Sequence, residues 1–234
     1  MEIPTLDITP EHVVGGVYAG PDVSDWPGDI KITAGLGVVR FPGAVAARGH
    51  ILSAPGSSVS VAEDIIAGRS IGIGEDLSAA GIILAGGGIV ANGSVHANAG
   101  IGAGENISVG RSISGGGGGV KATGNIEAGG NIGAAWSVTA GGGIIAGWSV
   151  RAGKSVSAGG AINVLEGVWA DSGGISAGLS INAKSVSAAA FISAGNATRR
   201  PLDPGEDEIR AEIRRGTVIH GTVVAPTATL EPNH

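Results

Sequence analysis

From Val59 onward an aliphatic residue returns every six positions: Ile65, Ile71, Leu77, Ile83, Ile89, Val95, Ile101, Ile107 and Ile113. One extra residue falls within Gly115 to Gly119. The beat then resumes at Val120 and runs through Ile126, Ile132, Val138, Ile144, Val150, Val156, Ile162 and Val168. A second one-residue slip leads to Ile175 and Ile181, and a five-residue step leads to Val186 and then Ile192. Of these 23 units, 18 carry Ala two places after the aliphatic position, and 13 carry Gly one place further on.

Period two within each unit describes a short strand whose aliphatic and Ala side chains share one face while the residue between them takes the other. The Gly that follows is expected at a corner of positive φ. A helix is excluded, because Gly at this frequency costs about 1 kcal/mol per residue relative to Ala. Strand and corner alternating at six residues a side close into a triangular coil of 18 residues. The fold class is therefore all-β, a three-sided parallel β-solenoid. At about 4.8 Å per layer, the nearly eight coils from Val59 to Asn196 make a rod of roughly 35–40 Å. Weaker matches at Val39, Val45 and Ile51 add two or three sides upstream.

Composition agrees with a narrow, small-residue core. The 234-residue chain has 45 Gly, 43% hydrophobic and only 3% aromatic residues. Disorder would require low hydrophobicity and high net charge, whereas the net charge is −6. That charge is spread thinly, with no basic stripe to follow phosphates, so nucleic-acid binding is not expected. The chain lacks Cys, which removes disulfides and thiol chemistry. MEIPTLDITPEH has neither the basic nor the apolar region of a secretory signal. No run of about 18 apolar residues offers a membrane span. A cytoplasmic location is the expectation.

The units resemble the hexapeptide-type triangular solenoids. In the acyltransferases of that group the small inward residue precedes the aliphatic one by two positions. Here it follows, as in Ile126-Glu127-Ala128-Gly129. That order is similar to bactofilins, and the resemblance implies a right-handed solenoid that polymerises end to end. Similar I-x-A-G-G strings occur in uncharacterised bacterial solenoid proteins, whose strand tail the segment Glu208 to Val224 resembles. The resemblance covers about residues 59–225.

The chain divides into an N-terminal cap segment (1–38), the solenoid (39–197) and a C-terminal cap or tail (198–234). The first contains Val17-Tyr18, Trp26 and Ile30-Lys31-Ile32 and reads as partly folded. The last has an acidic turn, Asp203 to Glu206, followed by alternating Ile209, Ala211 and Ile213. A hairpin packed on the solenoid is expected there, with a short helix over 206–214 as the alternative. Such caps oppose open stacking of the raw strand edges.

Gly147-Trp148-Ser149-Val150-Arg151-Ala152-Gly153-Lys154-Ser155 superficially looks like a phosphate loop. It has five residues between its glycines, where the Walker pattern needs four, and no helix follows. It reads as a decorated corner. The γ-class carbonic anhydrases use three His on adjacent coils and the acyltransferases need a catalytic His. Here only His96 takes an outward strand position, and its column holds no other His. No catalytic, metal or cofactor residue is assigned.

Residues 18 apart become neighbours on successive coils. One face is expected to carry Ser60, Ser78, His96, Ser114, Gly133, Arg151 and Trp169, with Arg151 beside Trp169 as a cation–π pair. Trp136 is expected near Lys154 on a corner. A second face carries Ile66, Leu84, Gly102, Lys121, Thr139, Ser157 and Ser176, its Ile66 and Leu84 covered by the terminal segments. The third carries Gly72, Val90, Ser108, Glu127, Ile145, Asn163 and Asn182. Trp136, Trp148, Arg151, Lys154 and Trp169 are the candidate partner-binding residues. The functional expectation is a non-enzymatic interaction or structural module that presents a flat face to a partner protein or a second copy, an immunity or inhibitor protein being one such role. A bactofilin-like polymer is the alternative, and a hexapeptide-type acyltransferase a third.

Overall fold

Each unit folds as a three-residue strand with its first and third side chains buried and its second outward, as in Leu77–Ala79, Ile126–Ala128 and Ile175–Ala177. The computed structural model describes residues 4–195 and 207–224. Within them the strands stack in parallel as a β-solenoid of about ten coils with about 18 residues per coil. Inside, identical positions form columns. Ile107, Ile126, Ile144 and Ile162 pair in exact succession and are each 0% exposed. Such columns keep every ladder hydrogen bond and every apolar contact between like residues, which is why one short unit can be repeated indefinitely.

All three expected faces are present. Face I aligns Ser60 with Ser78, His96, Ser114, Gly133, Arg151 and Trp169. Face II aligns Ile66 with Leu84, Gly102, Lys121, Thr139, Ser157 and Ser176. Face III aligns Gly72 with Val90, Ser108, Glu127, Ile145, Asn163 and Asn182. The chain runs from face III to face I to face II. The two slips are absorbed at the corner between faces I and II, the first at Gly119 with φ +121°.

The corner glycines do something other than expected. Positive φ occurs at Gly15, Gly16, Gly35, Gly37, Gly56, Gly119, Gly195, Gly216 and Gly221, so of the 13 glycines that follow the Ala position only the last, Gly195, adopts it. At Gly104, Gly129 or Gly141 an added Cβ would instead overlap the backbone carbonyl of the coil beneath. The repeat glycine therefore serves close approach between coils. A second device sits just before the aliphatic position. Asp64 Oδ1 accepts the Ile82 N–H (2.8 Å), Asp76 Oδ1 the Ser94 N–H (2.7 Å) and Asn125 Oδ1 the Gly143 N–H (2.8 Å). These carboxylates and amides satisfy corner donors that the strand ladder leaves unpaired.

The ladder extends into both terminal segments. Thr5–Ile8 pairs in parallel with Asp29–Ile32, which pairs with Ile51–Ser53. Val13–Val14 and Val17–Tyr18 form an antiparallel hairpin through Gly15 and Gly16. Larger side chains fill this end: Tyr18 meets Phe41 at 4.8 Å between ring centroids and donates its hydroxyl to Pro21 O (2.8 Å). At the other end Glu208–His220 pairs in parallel with Ile181–Ala194, and Thr222–Val224 pairs in parallel with Glu208 to Arg210. The strand expectation holds there, but the segment makes further coil where a hairpin was expected, and Glu208 to Arg214 is strand throughout. The acidic turn Asp203 to Glu206 lies outside the described residues. No helix among the described residues is long and apolar enough to cross a membrane.

Candidate functional site

Face I is built from the strands Ile132–Ala134, Val150–Ala152 and Gly167–Ala170, whose outward residues are Gly133, Arg151 and Trp169. Their flanking Val and Ile side chains are buried, so the outward positions are fixed by the core rather than by the surface. Gly133 presents no side chain, which leaves a shallow depression of about 400 Å³ lined by Asn131, Gly133, Ser149, Arg151, Trp169 and Asp171. Arg151 stands beside Trp169 in register, but its guanidinium is turned to the Asp171 carboxylate (3.1 Å). The expected Arg151–Trp169 cation–π pair is thus not made, and the exposed guanidinium is engaged in an ion pair instead. The Trp169 ring lies across Gly167, where a Cβ would strike it.

Tryptophans mark both edges of this face. Trp148 occupies the corner between faces III and I and is 59% exposed; Trp136 occupies the corner between faces I and II and is 52% exposed. Lys154 Nζ sits 3.5 Å from the centroid of the Trp136 ring, as the 18-residue spacing anticipates. It is the one cation–π contact among the described residues. All five residues picked from the sequence therefore border one stretch of face I. The Gly-Lys-Ser element is the corner between Val150–Ala152 and Val156–Ala158.

Sequence reasoning missed two neighbours of Trp148. Leu165 (65% exposed) lies one coil on at the same corner, and Ile145 (45% exposed) lies on the adjoining strand of face III. The signal was present: Leu165 is an aliphatic residue in the corner position where most units have Gly. Ile66 and Leu84 on face II are each 40% exposed, so the expected cover by terminal segments is not made by the described residues. Leu84 instead leans over Gly102, where a Cβ would meet it. His96 stands between Ser78 and Ser114 in its column, with Nε2 2.9 Å from Asn98 Oδ1.

Comparison of the chain with protein-family models, with curated proteins and with solved structures gives no match in any of the three. The fold defines the class, a repeat β-helix protein, and the site must be read from its own residues.

Proposed function

We propose that the chain is a non-enzymatic scaffold whose rigid solenoid offers face I to another polypeptide. The observation that carries this reading is the clustering of aromatics. Of the four tryptophans in a chain that is 3% aromatic, Trp169 lines the depression on face I and the exposed Trp136 and Trp148 stand at the two corners that border the face. Trp and Arg are the side chains most often found at the energetic centres of protein contacts, and exposed apolar groups gathered in one place mark contact sites. Neither Trp136 nor Trp148 contributes to the core; more than half of each is exposed.

A photo-cross-linking residue in place of Ser149, beside the depression, tests this in cells that naturally make the protein. The same residue in place of Ser108 on face III is the control. A discrete covalent adduct from position 149 alone, abolished by Trp148→Ala or Trp169→Ala, supports the reading. Equal labelling from both faces, or none from position 149, overturns it.

A further inference from the structure

We infer that the polypeptide docked on face I is a second copy of this chain, laid antiparallel. This rests on the docking role of face I and adds its occupant. The same face changes character along its length. From Arg40 to His96 its floor is Ser60 and Ser78, and its two corners carry Glu63 and Asp64 on one side and Glu75 and Asp76 on the other. One base against four acids gives −3. From Arg111 to Asp171 the face and its corners carry Arg111, Arg151 and Lys154 against Glu166 and Asp171, which gives +1. Opposite charge on the two halves of one face is self-complementary under a two-fold axis that reverses the rod. A parallel pair would set acids on acids.

Shape agrees with charge. The acidic half is a hollow of about 530 Å³ between Arg40 and His96, floored by Ser60 and Ser78. The basic half carries the protruding Arg151 and Trp169. With the two-fold axis between the Val95–Ala97 and Ile113–Gly115 strands, Arg151 meets Ser60 of the second copy. Lys154 meets Glu63 and Asp64, and Trp169 meets Arg40. Eight strand layers at about 4.8 Å and a face about 20 Å wide bury roughly 760 Å² per copy. The total of about 1,500 Å² is that of a standard stable interface. Gly195 and Asp207, which bound the residues that are not described, both lie at the corner opposite face I.

Sedimentation velocity of the full chain is expected to show a species near 45 kDa, twice the 22.6 kDa chain. Lys154→Glu should raise its dissociation constant at least tenfold in low salt, as should Glu63→Lys, and combining the two should restore dimerisation. Because the natural chain has no Cys, single cysteines report the arrangement. Ser78→Cys and Gly133→Cys chains should form a disulfide-linked dimer when mixed, and Ser78→Cys alone should not. A monomer at 100 µM, self-linkage of Ser78→Cys, or failure of the charge swap to rescue overturns the inference. An adduct from position 149 with a different protein, the chain itself being monomeric, overturns the second copy but leaves face I as a docking face. Dimerisation through face III overturns both.

Discussion

Ile144 and Ile145 are chemically identical neighbours that the fold treats in opposite ways: the first is 0% exposed in the column between Ile126 and Ile162, the second 45% exposed on face III. Replacing Ile144 with Ala removes three buried carbons at about 0.8 kcal/mol each, or about 2.4 kcal/mol. If the column cannot collapse, a void of about 80 Å³ adds roughly 2 kcal/mol at about 24 cal/mol per Å³. The expected loss is therefore about 2.4–4.4 kcal/mol. Ile145→Ala gives up only part of the same transfer energy and opens no cavity, so about 1 kcal/mol is expected. Urea titration followed by circular dichroism reads the difference. With a slope near 2–3 kcal/mol per molar, Ile144→Ala should lower the midpoint by about 0.8–2.2 M and Ile145→Ala by no more than about 0.5 M. Equal shifts for the two variants would refute the in-and-out alternation from which every face assignment follows.

Corner glycines should separate by what lies beside them. Gly141→Val, whose Cβ would overlap the Thr123 carbonyl, should lower the Tm by several degrees, whereas Gly117→Ala, open on that side, should leave it within about a degree. Asn125→Ala removes the acceptor of the Gly143 N–H; it should cost about 1 kcal/mol and speed hydrogen exchange at Gly143 above that of the neighbouring coils. Tyr18 is the only tyrosine, and burial first, then the Asp22 charge, raise its pKa above 10.0. The unfolded chain therefore ionises first. Tyr18 contributes stability fully below pH 10 that is lost as pH rises through the folded value. Absorbance at 295 nm should show its ionisation delayed in the native protein and normal in urea, and Tyr18→Phe should flatten the alkaline loss of stability.

How far the sequence spoke depended on how regular the coils were. From Val59 to Ile192 the six-residue beat is unbroken enough that every outward column, and the Lys154–Trp136 contact with it, followed from counting. Upstream the coils lengthen: Leu6 pairs with Ile30, Ile30 with Ile51, and Ile51 with Ile71, at 24, 21 and 20 residues per turn. Extra residues in the corners hide the beat without breaking the ladder, so coils there resembled a separate cap. Downstream, Ile181 pairs with Ile209 across 28 residues and Ile209 with Val223 across 14, which defeats a fixed ruler in both directions. The role of the corner glycine was misread for a different reason. A glycine tolerates both positive φ and close approach, and composition alone cannot say which is used. The turn of Arg151 toward Asp171 was hidden because those residues sit 20 apart, off the 18-residue column.

Hydroxyl-radical footprinting tests the central claim, that face I is a contact surface, most directly. Trp136 and Trp148 are more than half exposed in the single chain and should oxidise quickly in dilute protein. In protein at its cellular concentration both, together with Trp169, should be protected several-fold, while Leu84 on face II and Val90 on face III keep their dilute rates. Protection of Leu84 and Val90 with unchanged rates at the three tryptophans would contradict the account.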